Sequence, residues 1–225
     1  MAEKNIVKMM SKKGLTLAIF SVITTGIIAG TFALTKDKID DAKQRQLRLT
    51  LNELVPATSH NNALHKDCII VSADPNLDNA PQHVYRARFD EQNVAIIIET
   101  TAPDGYSGDI DILVAVDSKS TVLGARVLSH KETPGLGDKI ELRISDWILD
   151  FTGVEFSTSV KDRWKVKKDG GQFDQFTGAT ITPRAVVSAI AKAAEYVNEN
   201  TDKLFTAPSN CDITDSNVEV LNGSN

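Results

Sequence analysis

The sequence predicts an α+β domain carried behind a single transmembrane helix. Three observations predict it. Residues 14–35 contain no charged side chain, four short runs between residues 84 and 128 are apolar or alternate apolar with polar, and two later segments carry apolar residues at helical spacing. The 225-residue chain is long enough for one good core once a membrane segment is set aside, and an apolar share of 41% suits an ordinary globular domain. No internal repeat points to a duplication.

At about 1.5 Å per residue the run 14–35 spans roughly 33 Å, enough to cross the bilayer hydrocarbon. Lys4, Lys8, Lys12 and Lys13 precede it and also fit the leading region of a cleavable signal peptide. The run is longer than a usual signal core, and Phe32, Ala33, Leu34 and Thr35 offer no small-x-small cleavage site, which favours an uncleaved anchor preceded by residues 1–13. Lys36, Lys38, Lys43, Arg45 and Arg48 balance the leading lysines, so charge alone does not orient the helix. Residues 36–55 read as a charged stalk helix packing on the domain through Ile39, Leu47, Leu51 and Leu54. The domain then occupies residues 56–207, and residues 208–225 form a polar tail.

Within the domain, residues 84–89, 94–99, 110–116 and 121–128 predict an antiparallel sheet, with Ile110, Ile112, Val114 and Val116 marking the more buried face. Residues 138–151 predict a helix, because Ile140, Ile144, Trp147, Ile148 and Phe151 recur at helical spacing and Gly153 supplies a stop. A strand begins at Trp164 and Val166 and turns at Asp169, Gly170 and Gly171. The last helix is capped by Thr182, opens at Pro183, buries Val186, Ile190, Ala194 and Val197, and ends near residues 198–200.

Composition excludes several function classes. A net charge of −5 without a basic stripe argues against nucleic acid. The cysteines, Cys68 and Cys211, form no C-x-x-C or C-x-x-C-H, so the chain cannot by itself ligate an iron–sulfur cluster or attach a c-type haem. In an oxidising compartment the two can staple the ends of the domain; equally, Cys68 can be buried beside Ile69, Ile70 and Val71 with Cys211 free in the tail. His60, His65 and His83 lack paired ligand spacing and predict no metal site. A redox role therefore needs an organic cofactor.

The chemistry concentrates in D-Q-F-T-G-A-T at residues 174–180, which places the Thr180 hydroxyl at the mouth of the last helix. Gly178 and Ala179 leave the backbone bare, and a helix N-terminus offers N–H donors and positive partial charge to a phosphate. Read locally, the same residues also make an ordinary strand-to-helix turn. In H-K-E-T-P-G-L-G-D at residues 130–138, proline and glycines mark a tight loop; Gly135 and Gly137 also present Leu136 from bare backbone, a wall for a flat ring, with Glu132 and Thr133 as hydrogen-bonding groups and His130 as a further candidate.

The motif at residues 174–180 resembles the flavinylation motif of the FMN-binding domain shared by membrane redox complexes. The runs A-P-D-G-Y-S-G at 102–108, H-K-E-T-P-G-L-G-D at 130–138 and W-K-V-K-K-D-G-G at 164–171 are, in the same order, similar to segments of the G subunit of the Rnf (Rsx) ion-translocating electron-transport complex. The C subunit of the sodium-pumping NADH:quinone reductase is a more distant relative. The resemblance runs from the membrane anchor to about residue 204.

It implies a single periplasmic FMN-binding domain on the outer face of the bacterial inner membrane. FMN is then joined through a phosphodiester to Thr180 by a separate flavin transferase that uses FAD, with Asp174 part of the motif. It further implies a flavin pocket drawing on Thr177, Gly178, Ala179, Thr182, Glu132, Thr133 and Leu136, with Tyr106, Ser107 and Lys168 added by analogy. The implied partners are the other membrane subunits of the complex, and the implied role is electron transfer coupled to ion movement. The alternative is an anchored periplasmic binding module for a phosphate-bearing ligand or a partner, without redox chemistry. No Ser/His/Asp order or carboxylate pair supports a hydrolase.

Overall fold

The computed structural model describes residues 2–75, 77–78 and 80–211. The chain divides into two units, residues 1–47 and 48–225. One continuous helix, α1 (Ala2–Leu54), makes the first unit and runs into the second, so anchor and stalk are a single element. In its apolar stretch Leu17, Val22, Ile28 and Phe32 are all exposed, and the helix is long and apolar enough to cross a membrane. The hydroxyls of Thr16, Thr24, Thr31 and Thr35 donate to the carbonyls of Lys12, Phe20, Ile27 and Thr31, one turn back. These four hydroxyls are thereby satisfied within the helix, which is how threonine is accommodated in an apolar helix. Of the expected stalk contacts, Leu51 and Leu54 are buried in the domain, whereas Ile39 is exposed.

The domain is a six-stranded antiparallel meander in chain order: β1 (Cys68–Val71), β2 (Gln82–Phe89), β3 (Gln92–Ala102), β4 (Ile110–Asp117), β5 (Thr121–Ser129) and β6 (Val154–Glu155). Helix α2 (Ile181–Thr206) packs on one face, burying Val186, Ile190, Ala194 and Val197 against Val84, Ile98, Val114 and Ala125. The opposite face is buried too. Tyr85, Ile97, Leu113 and Ala115 are all inaccessible, and the end of α1 reaches this face at Gly124, where Leu54 packs 3.0 Å from the place a side chain would take. The expected contrast between a buried and a less buried face of β4 therefore does not exist; apart from Asp111, its residues through Val116 are covered on both sides.

Three other expectations are corrected. Residues 138–151 form two short 3-10 turns, Asp138–Ile140 and Asp146–Phe151, rather than a helix. Ile140, Trp147, Ile148 and Phe151 still reach the core, while Ile144 between the turns is exposed. Trp164 and Val166 form no strand; a single bridge joins Val166 to Phe173, and Trp164 is buried among Phe151, Phe156 and Phe173. The last helix continues to Thr206, past the expected end, because Leu204 and Phe205 also find burial. Of the polar tail, residues 212–225 lie outside the described residues.

Candidate functional site

The site begins with a turn. The Ala179 N–H donates to the Phe176 carbonyl at 3.2 Å, and Gly178 sits at φ +83°, a backbone region that favours glycine. Two contacts from Trp147 hold the turn from below. Its indole N–H donates to the Asp174 carbonyl at 2.8 Å, and its ring meets Phe176 edge-on at 5.1 Å. The aromatic core thus fixes where the turn delivers Thr180.

Thr180, not Thr182, is the N-cap of α2, and its hydroxyl makes no capping bond. An N-cap threonine ordinarily spends its oxygen on an N–H of the first turn. Among the described residues that oxygen is left uncommitted. Thr182 occupies the second helical position, fully buried, and donates to Glu132 Oε2 at 2.5 Å. Pro183 is third, still within the turn whose N–H groups have no intrahelical partner, so its missing donor costs nothing.

A cavity of about 300 Å³ opens at this helix end, lined by Tyr106, Glu132, Thr133, Leu136, Gly137, Gly178, Ala179, Thr180, Ile181 and Thr182. That volume is at the small end of the range for ligand sites. Leu136, Tyr106 and Ile181 are exposed apolar groups at its mouth. The structure therefore brings together residues from three distant stretches that sequence analysis singled out. It leaves others outside the lining. Thr177 is exposed on the turn, and Asp174 is an exposed surface carboxylate 2.7 Å from Lys167. Lys168 is exposed, and its backbone N–H donates to the Gln175 side chain at 3.2 Å. Ser107 contributes its backbone N–H, which donates to Glu132 Oε1 at 2.9 Å.

Glu132 is 4% exposed and joins three segments: the 105–108 turn through Ser107, its own loop, and α2 through Thr182. Gly137 clears its space, and Gly105, where a Cβ would stand 2.1 Å from the Gly108 carbonyl oxygen, lies beside it. A Cβ on Gly137 would stand 2.6 Å from Glu132 Oε2, and one on Gly105 would stand 3.0 Å from Oε1. His130 lies outside the cavity lining and acts from behind: its Nδ1 accepts the Glu132 N–H at 3.0 Å and its Nε2 lies 2.5 Å from Glu141. The Arg143 guanidinium, hydrogen-bonded to Glu141, is the main cause that holds the Glu141 carboxyl below its ordinary range, and His130 adds to it.

Sequence reasoning misses the part played by Gly137 and misses Ile181 altogether. The second glycine of G-L-G looks like loop chemistry, although a conformation close to helical (φ −87°) shows that its role is clearance. An exposed isoleucine off the buried stripe of α2 is the available signal for Ile181.

With this geometry in view, comparison with known proteins is decisive. Residues 105–195 match the FMN-binding domain, and residues 1–54 match the RnfG N-terminal region. Over 201 residues the chain is 52% identical to the G subunit of the ion-translocating oxidoreductase complex of Vibrio cholerae, covering 89% of this chain and 96% of that protein. The chain belongs to the RnfG family. Two further relatives, the G subunits of the same kind of complex from Pseudoalteromonas atlantica and Aliivibrio fischeri, are 49% and 48% identical, covering 95% and 97% of those proteins. The match to the FMN-binding domain contains every residue that lines the cavity. The donor set of this RnfG family member fits FMN: an uncommitted hydroxyl and open helix N-terminus for the phosphate, bare backbone at Gly178, and apolar walls for the ring.

Proposed function

We propose that this chain is a membrane-anchored electron carrier that holds FMN covalently on Thr180 and relays electrons within an ion-translocating membrane complex, its domain on the periplasmic face of the inner membrane. The observation that carries the reading is the uncommitted Thr180 hydroxyl at the N-cap of α2, lining the cavity. In the attachment step the Thr180 oxygen forms a P–O bond to the FMN phosphorus of FAD. The pyrophosphate P–O bond breaks, AMP leaves, and the hydroxyl proton passes to the flavin transferase that catalyses the exchange. FMN supplies one- and two-electron chemistry once bound.

The chain's own residues bind and orient. The first-turn N–H groups of α2 stabilise the phosphate charge, Leu136, Ile181 and Tyr106 supply apolar contact for the ring, and Glu132 holds the three segments of the wall together. Covalent attachment suits a compartment in which a dissociated cofactor is lost by dilution. The partners are the other membrane subunits of the complex, and the transferase serves maturation.

The test is coexpression of the full chain with a flavin transferase, followed by flavin fluorescence of the denatured protein on a gel. Wild type should give a fluorescent band and Thr180→Val none, with Thr177→Val reduced less. An unlabelled wild type, with the transferase shown active on another substrate, would return Thr180 to a helix-capping turn and favour the anchored binding module.

A further inference from the structure

Glu132 presents a paradox of stability. A carboxylate taken out of water is costly unless it is paired with a cation, yet Glu132 is 4% exposed and makes no ion pair among the described residues. Its oxygens are held by neutral donors, the Thr182 hydroxyl at 2.5 Å and the Ser107 N–H at 2.9 Å. Gly137 is needed to make room for it, since a Cβ there would stand 2.6 Å from Glu132 Oε2. Such an arrangement is poor as a stabilising device, and it converges on the first turn of α2, two residues beyond the acceptor hydroxyl.

We infer that Glu132, acting through Thr182, is a positioning residue for flavin attachment. It fixes the first turn of α2 so that the Thr180 oxygen and the open N–H groups present one geometry to the incoming phosphate. This rests on the reading that Thr180 is the attachment residue. Thr182 is buried, so its hydroxyl points into the protein and can act on the acceptor only through the helix it belongs to. Gly137 is the third member of the device. Its backbone (φ −87°, ψ −21°) suits any residue, so glycine is required only because a Cβ would stand 2.6 Å from Glu132 Oε2 and 2.9 Å from Thr182 Oγ1. Reactions that depend on held geometry lose about a hundredfold for a displacement of about 1 Å, so a loosened turn should register in the rate.

The experiment measures single-turnover flavin transfer from FAD to the full-length chain in detergent, at saturating transferase. Thr182→Val, which keeps the shape and loses the hydroxyl, should slow transfer about tenfold or more, while Thr182→Ser should restore a rate near wild type. Gly137→Ala, which removes no functional group, should slow transfer like Thr182→Val, and the pair Glu132→Gln/Thr182→Val should be no slower than the slower single variant, because one interaction is lost in each. Should Thr182→Val fail to fold, by its tryptophan fluorescence, Gly137→Ala and Thr182→Ser carry the test.

Equal rates for Thr182→Val and wild type, or equal losses in the valine and serine variants, would overturn the inference while leaving Thr180 in place. Absence of covalent flavin on wild type would overturn the attachment reading itself. The two failures are therefore distinguishable.

Discussion

At the scale of single residues, His83 and Glu99 show how a local pair becomes a pH response. His83 Nδ1 lies 2.9 Å from Glu99 Oε2, and the Tyr85 hydroxyl donates to the other Glu99 oxygen at 2.8 Å. The hydrogen bond to Glu99 raises the His83 pKa above 6.5 against the opposing effect of burial, and Tyr85 is raised chiefly by burial, so it stays a neutral donor. A histidine whose folded pKa is raised stabilises the fold fully below its unfolded value, and that stabilisation is lost as pH rises through the folded value. Thermal unfolding of the unflavinylated chain, followed by fluorescence of the buried Trp147 and Trp164, should therefore show wild type furthest ahead of His83→Gln below about pH 6.5, with the gap shrinking as pH rises above it. A gap constant across that range would mean that the pair does not titrate. The same scale explains what sequence can say of the site. Leu136 stands out as a glycine-flanked leucine, a local pattern, whereas the turn before Thr180 reads locally as an ordinary strand-to-helix turn and it is the resemblance that singles Thr180 out. The roles of Thr182 and Gly137 are not legible, because both are set by Glu132, which is 50 residues from Thr182 in the chain.

At the scale of elements, the end of α2 is the informative case. The asparagines near residue 198 read as a stop, whereas the signal that extends the helix lies on another element. Arg86 of β2 donates to the carbonyls of Leu204, Phe205 and Ala207, and reaches Ser209 and Asp67; Arg88 donates to the Phe205 carbonyl at 2.7 Å and lies over its ring. Two guanidinium groups thus satisfy carbonyls that a helix leaves open, and their charge opposes the negative end of its dipole. Arg86 is 3% exposed, so Arg86→Ala strips partners from buried carbonyls and from Asp67; it should cost ~3–5 kcal/mol by urea unfolding, and Arg86→Lys should recover little, since one ammonium cannot fork across that set. A loss below ~1 kcal/mol would show that water replaces the guanidinium at little cost. The four long strands are legible from alternation and β-branched content alone. Residues 138–151 mislead for a physical reason: spacing of three brings side chains to one side in 3-10 turns as well as in a helix, and Ile144, left exposed between the turns, is the residue that does not fit.

At the scale of the whole molecule, the pairing of Cys68 with Cys211 connects fold to compartment. The structure joins them with Cα atoms 5.6 Å apart and a separation of 143 residues along the chain, tying β1 to the segment that follows α2. Closing a loop of that length restricts the unfolded chain strongly, and loss of such a crosslink typically costs ~2–5 kcal/mol. Cytoplasmic thiols are kept reduced, so a bond between these two, the only cysteines in the chain, forms where the domain is exported. Charge cannot orient α1, because basic residues flank it on both sides, but the thiols can. In intact cells treated with a small alkylating agent, then denatured and probed with a mass-tagged maleimide, the full-length chain should take up two tags only after reduction, and Cys68→Ser should lower its unfolding midpoint. Two alkylatable thiols before reduction would show that the crosslink does not form and remove this argument for an exported domain. The domain would then lack its crosslink, and the clamp of Arg86 and Arg88, with the burial of Leu204 and Phe205, would be left to hold the end of α2.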